Sequence, residues 1–156
     1  MRISILSVGH KMPAWIQEGF QEYVRRMPPE IRVELVELKP EERSAGKPAA
    51  KAMQAEGERL IGAMPSGSTV LALDEKGRAV STQGLSVMLA DWMRDGSHPA
   101  FVIGGADGLD MAVKDRADKL VSLSTLTLPH GLVRVLLAEQ LYRAWTILAR
   151  HPYHRE

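Results

Sequence analysis

Between Leu132 and Leu148 the chain carries apolar residues on every face of a helix, interrupted chiefly by Arg134, Glu139, Gln140 and Arg143. A helix of that kind has no face to offer water. It belongs either in the middle of a domain or half in the domain and half against another copy of it. The second arrangement is expected here, because exposed apolar patches on a monomer are normally small. The polar interruptions need partners wherever they are buried. Glu139 and Arg143 stand one turn apart, so they neutralise each other or serve a site, and mutual pairing is the default.

The loop before this helix alternates or flanks Leu123, Leu126 and Leu128 with Ser122, Ser124, Thr125 and Thr127, and Pro129 introduces the helix near its first turn. An apolar wall studded with hydroxyls and backbone amides suits an adenine ring and a ribose. Taken alone, the loop reads more plainly as a strand end followed by an N-cap.

A length of 156 residues is that of one domain, 1–156, able to bury a core without disulfides. No apolar run approaches the ~18 residues of a membrane span, and MRISILSVGH reads as a first strand rather than a secretory signal. A cytoplasmic protein is expected. The absence of cysteine excludes thiolate nucleophiles and thiolate zinc sites. A formal charge of +1 neither announces nor forbids nucleic acid, since binding depends on where charge sits. Arg150, His151, His154 and Arg155 concentrate it at the C-terminus.

Apolar periodicity predicts strands over Arg2 to Val8, Ile31 to Leu38, Thr69 to Leu73, Ala100 to Ile103 and near Lys119 to Leu123. It predicts helices opened by Pro13 and stopped by Pro28, over Ala49 to Met64, from an N-cap at Ser81 to Gly96, and through Met111 and Val113. Met53, Leu60, Ile61 and Met64 should face inward. Asp74 to Gly77 should end the third strand. Lys39 to Pro48 shows no period and reads as a flexible, solvated connection, with an RNA-ordered arm through Lys39, Arg43 and Lys47 as the less favoured alternative.

This alternation of strand and helix argues for an α/β fold with a mainly parallel sheet, whose ligands sit beyond the carboxyl ends of the strands. Three loops should converge there: those after Leu73, at Gly104 and Gly105, and from Leu123 to Leu128. Gly104, Gly105 and Gly108 do not form a dinucleotide fingerprint, and no Walker motif occurs. The glycine pair allows either close approach of a ligand or a tight turn. His151-Pro-Tyr-His154 lacks a third ligand at metal-binding spacing, so no metal is expected. Tyr153, His154 and Arg155 suit stacking, proton movement and phosphate pairing on an RNA, although a frayed terminus would look the same.

VGHKMPAWIQEGFQEY, FVIGGADGL, SLSTLTLPHGLVRVLLAEQLYRAW and HPYHRE together carry a resemblance, along the whole chain, to the bacterial ribosomal large-subunit pseudouridine N3-methyltransferases of the SPOUT superfamily. The resemblance implies a SPOUT-type α/β knot, with a mainly parallel sheet and a C-terminal deep trefoil knot, an exception to the rule that chains do not knot. It implies a homodimer with the terminal helix at the seam, and S-adenosylmethionine held by Leu73, Gly104, Gly105, Leu123, Ser124, Thr125, Leu126, Thr127 and Leu128. The substrate so implied is 23S ribosomal RNA, in the large subunit or the assembled ribosome. The tail of one protomer would complete the site of the other.

Methylation at carbon 5 of a pyrimidine usually proceeds through a cysteine adduct, so a chain without cysteine favours a nitrogen or oxygen acceptor. The N3 imide of pseudouridine becomes a nucleophile once its proton leaves, and the protein's task is then positioning and charge stabilisation. His154, Tyr153 and Arg155 are the candidates for base assistance and nucleotide placement, and Arg143 for anion stabilisation. A non-catalytic ribosome-binding protein and a generic nucleotide-binding domain are the alternatives from other classes.

Overall fold

The computed structural model describes residues 1–43 and 45–155. Strands β1 (Arg2–Val8), β2 (Arg32–Leu38), β3 (Thr69–Ala79), β4 (Pro99–Ile103) and β5 (Lys119–Ser122) form one parallel sheet in the order β2-β1-β4-β3-β5. Helices α1 (Ala14–Val24), α2 (Ala49–Ala63), α3 (Thr82–Asp95), α4 (Met111–Arg116) and α5 (His130–Leu148) alternate with them, and Pro152–Arg155 closes the chain as a 3-10 turn. The expected elements are all present.

The two-residue period of the strands divides the core. Ile3, Ile5, Leu71, Phe101 and Ile103 face α1, α3 and α5, whereas Leu6, Val8, Val70, Ala72 and Val102 face α2 and α4. β2 lies at the sheet's edge and buries none of its residues. Helix α3 starts where expected: the Ser81 hydroxyl accepts the Gly84 N–H at 3.0 Å, and Gly96 closes the helix in the left-handed region. Among the described residues no helix is long and apolar enough to cross a membrane.

Two expectations change. First, β3 does not stop at Leu73. Leu73 and Arg78 both lie opposite Val121 of β5, so Asp74 to Gly77 leave the ladder as an enlarged bulge and the strand resumes. Gly77 is required there, since a Cβ would come within 2.7 Å of the Val121 backbone nitrogen. Charged residues that read as a turn are retained in the strand because β5 pairs with both flanks.

Second, Lys39 to Pro48 is not simply a solvated connection. Arg43 pairs with Glu56 and Asp107, and Glu41 accepts from both Lys47 and Arg59. These contacts fix the described part of the loop against α2. Accordingly α2 buries Glu56 along with Ala52, Gly57 and Leu60, while Met53 and Ile61 are only half buried.

Helix α5 is largely covered within one chain, with one half-buried stripe left. It packs between α1 and α3, and no residue from 130 to 147 is exposed. Arg134 is buried to 1% exposure and finds three partners: Ser7 Oγ at 3.1 Å, Glu37 Oε2 at 2.7 Å and the Gly9 carbonyl at 2.9 Å. The half-exposed residues Leu132, Leu136, Glu139, Gln140, Arg143 and Ile147 recur at helical spacing along the remaining, outer stripe.

Candidate functional site

The sheet order explains why three loops meet. β4, β3 and β5 are neighbours and parallel, so the segments leaving their carboxyl ends lie side by side. They enclose a cleft of about 620 Å³ lined by Leu73, Gly104, Gly105, Leu123, Ser124, Leu126, Thr127 and Leu128, all expected there. Thr125 is exposed on the same loop and does not line the cleft. Ile103, Leu109 and Val133 extend the apolar wall, and Asp74, Glu75, Lys76, Asp107 and Lys114 form a charged rim.

Local hydrogen bonds shape the walls. Ser124 Oγ accepts the Leu126 N–H at 2.9 Å, Ser122 donates to the Ser124 carbonyl at 2.8 Å, and Thr127 donates to Glu75 at 3.0 Å. These hydroxyls hold the leucine-bearing loop in shape. The glycine wall is a tight turn as well as a lining: the Gly108 N–H bonds the Gly105 carbonyl at 3.1 Å. A Cβ on Gly104 would come within 2.6 Å of the Gly108 carbonyl carbon, and one on Gly105 within 3.0 Å of Val8 Cγ1. Gly104 is therefore demanded by the chain itself, whereas at Gly105 the Val8 side chain would have to give by a few tenths of an ångström.

The rim is electrostatically organised. Lys114 Nζ lies 2.8 Å from Asp74 Oδ2. Burial pushes the Asp74 carboxyl up, yet hydrogen bonds from Lys114 and the Lys76 N–H outweigh it and leave its pKa below the ordinary value. His130, at the first turn of α5, also lines the cleft. Burial and the nearby Arg134 charge lower its pKa, which favours a neutral imidazole. Sequence reasoning passed over His130, Glu56 and Lys114. The position of His130 directly after Pro129, in a loop already assigned to the wall, was the available signal.

The four tail and helix candidates lie elsewhere. None of Arg143, Tyr153, His154 and Arg155 lines this cleft. The 3-10 turn folds back on α5, placing the Tyr153 ring 4.7 Å from that of Tyr142 and its hydroxyl 3.1 Å from Glu139 Oε1. Arg143 pairs with Glu139 as expected and stacks over Tyr153 at 4.9 Å. Arg26 of the chain segment after α1 lies 5.9 Å from the same ring. Burial and the Glu139 carboxylate push the Tyr153 phenol up to about 12, so near neutrality it donates rather than accepts a proton. His154 Nδ1 is buried without a hydrogen-bond partner among the described residues. No group of three or more His, Asp or Glu among those residues is placed to hold a metal ion.

The arrangement is thus a parallel-sheet cleft with an apolar wall, a glycine wall and a charged rim, and a separate aromatic and basic cluster at the far end of α5. Comparison with known proteins agrees with that architecture. A solved structure described as a probable methyltransferase from Bordetella pertussis Tohama I superposes with a TM-score of 0.58 at 15% identity, covering 92% of this chain and 95% of that one, a likeness of fold. A protein from Ralstonia pickettii (strain 12J) named ribosomal RNA large subunit methyltransferase H is 58% identical over 155 residues, 99% of both chains. One of the same name from Burkholderia vietnamiensis (strain G4 / LMG 22486) is likewise 58% identical over 155 residues, again 99% of both. The family model described as "Predicted SPOUT methyltransferase" matches residues 1–154, and the chain belongs to the SPOUT methyltransferase family.

Proposed function

We propose that the protein, a single domain over residues 1–156, is a cytoplasmic homodimer that methylates N3 of a pseudouridine in 23S ribosomal RNA, using S-adenosylmethionine. The observation that carries this reading is the cleft at the ends of β4, β3 and β5, in a chain 58% identical over nearly its full length to relatives named for ribosomal RNA large-subunit methylation. The cleft fits the cofactor. Leu73, Leu123, Leu126 and Leu128 offer an apolar wall for a purine, and the Glu75 carboxylate on the rim suits a ligand bearing cationic groups. We also read the return of the chain after β5, through the loop to α5, as the family's trefoil knot.

The cofactor supplies an electrophilic methyl on a sulfonium. With the cofactor bound, N3 would have to give up its proton to a base of this chain to become the nucleophile that receives the methyl. Among the tail residues only His154 carries an imidazole besides His151, and the step is assigned to it as the one closest to Tyr153 and Arg155 in sequence. Tyr153, its hydroxyl donated to Glu139, orients the tail and offers its ring for the nucleotide to stack on, and Arg143 and Arg155 offset the charge of the imide anion.

The tail must come from a second copy. α5 has 19 residues and is about 28 Å long at the usual helical rise. Its His130 end lines the cleft, and its other end carries the tail. If two copies pack antiparallel along the outer stripe, Leu132 opposite Ile147, each tail arrives beside the partner's His130. The unpartnered His154 Nδ1 would then find its partner in the assembly or in the RNA.

Methyl transfer from labelled cofactor to assembled ribosomes, compared with separate subunits and free RNA, tests the reaction. Truncation after Pro152 should leave cofactor affinity nearly unchanged and suppress transfer strongly. A mixture of that truncation with a Leu126→Asp cleft variant should recover one working site per mixed dimer. Full activity of the truncated protein, or a stable monomer at micromolar concentration, would remove the tail and the dimer from the account.

A further inference from the structure

Glu56 is a buried carboxylate that the reaction scheme leaves unused. It is 2% exposed, on α2, and receives the Glu41 N–H at 3.0 Å and two nitrogens of Arg43, Nη2 at 3.0 Å. The same Arg43 donates through Nε to Asp107 Oδ2 at 3.0 Å. Asp107 belongs to the glycine turn and lines the cleft, whereas Arg43 and Glu56 do not. The turn also rests on Glu56 from below, since a Cβ on Gly105 would come within 3.4 Å of Glu56 Oε1.

A buried carboxylate beneath the glycine turn is held by one planar cation that grips it twice and the turn once. Arginine alone offers that fork. The hydrogen bonds to Glu56 and Asp107 hold the guanidinium further above its ordinary pKa, so it stays charged. The strap between β2 and α2 thereby becomes part of the cleft's support.

We propose that Arg43 and Glu56 are positioning residues that hold the Gly104–Gly108 turn, through Asp107, in the shape that receives the cofactor. The proposal rests on the cofactor reading above. A turn that carries Gly104, Gly105 and Gly108 has wide backbone freedom and would otherwise be ordered by the ligand, which lowers affinity. Gripped from outside by Arg43, it is ordered beforehand. The Asp107 arm is partly exposed, so salt loosens it, whereas the Glu56 arm is enclosed.

The test uses Asp107→Asn and Arg43→Lys, which both leave Glu56 facing a cation. Isothermal titration of the full-length protein with S-adenosylmethionine should show each variant weakened on the order of tenfold, and the double variant no weaker than either single. In Arg43→Lys, a residue outside the cleft lining, the rise should appear in KM for the cofactor, with kcat and KM for ribosomes unchanged, which a general loss of fold would not produce. Parent affinity should fall as salt rises, and the variants' affinity should be flatter. Unchanged affinity in Arg43→Lys overturns the proposal, because Arg43 does not line the cleft and a loss confined to Asp107→Asn would mean direct ligand contact. If the parent itself takes up no S-adenosylmethionine, the functional reading falls and this proposal with it.

Discussion

Nη2 of Arg134 donates to the carbonyl of Gly9 at 2.9 Å, tying the end of the first strand to a helix 125 residues later. Gly9 adopts a positive φ of 126°, so the arginine stabilises a backbone turn open mainly to glycine. With Ser7 and Glu37 as further partners, one side chain joins β1, β2 and α5 beneath His130.

Arg134→Leu should therefore destabilise the fold by about 2–4 kcal/mol, since Ser7 and the Gly9 carbonyl lose their donor in the core. The cost stays below that of a pair enclosed on both sides, because the Glu37 side chain is 40% exposed and water takes over its charge. Chemical unfolding at constant slope measures it, and a loss below about 1 kcal/mol would show that the buried arginine is easily replaced.

Two glycine substitutions should move stability in opposite directions. Gly62 lies exposed in α2 with open space where a Cβ would go, so Gly62→Ala should gain about 0.5 kcal/mol from the lower entropy of the unfolded chain. Gly104→Ala places its methyl 2.6 Å from the Gly108 carbonyl carbon, and the turn must open, at a cost of about 1–3 kcal/mol. Melting temperatures in the order Gly62→Ala, parent, Gly104→Ala are expected, with cofactor affinity lost only in the last.

His130 gives stability a pH dependence. Its folded pKa lies below the ordinary 6.5, so the unfolded chain binds the proton more readily. The contribution is complete above about pH 6.5 and is lost as pH falls through the lower, folded value. Partial exposure screens the effect. His130→Gln should flatten the unfolding midpoint over that window, and an unchanged slope would place the acid sensitivity in another group.

Tyr153 stays protonated until about pH 12, so its phenol cannot be the base near neutrality. Tyr153→Phe should lower methyl transfer by about tenfold, through loss of the hydrogen bond that orients the tail on Glu139, without moving either limb of the pH profile between about pH 6 and 9. A shifted alkaline limb would assign the proton to the phenol after all.

Much of this molecule was legible before its structure, for identifiable reasons. Leu85, Leu89 and Trp92 recur at helical spacing between a Ser81 cap and a Gly96 stop, so α3 could hardly be misplaced. Convergence of Leu73, Gly104 and Leu123 followed from parallel strands alone, because their carboxyl ends all face the same way. What escaped was set by partners distant in sequence. Glu56 reads as a solvated charge until Arg43 is brought over it. Asp74 to Gly77 reads as a turn until β5 pairs with both sides. The outer helices decide how much of α5 is left for a second copy, and Tyr153 reads as a loose end until Tyr142 and Glu139 receive it.

The bulge in β3 separates two jobs that a strand normally performs together. Since Leu73 and Arg78 are each set opposite Val121, the register of the sheet is independent of the length of chain between them. Asp74, Glu75 and Lys76 line the cleft from that detached arc. Residues added ahead of Gly77 would enlarge the rim without slipping β5 or turning a core side chain to solvent. The arc is thus the place where the cleft can be retailored for a bulkier occupant while the scaffold is left alone.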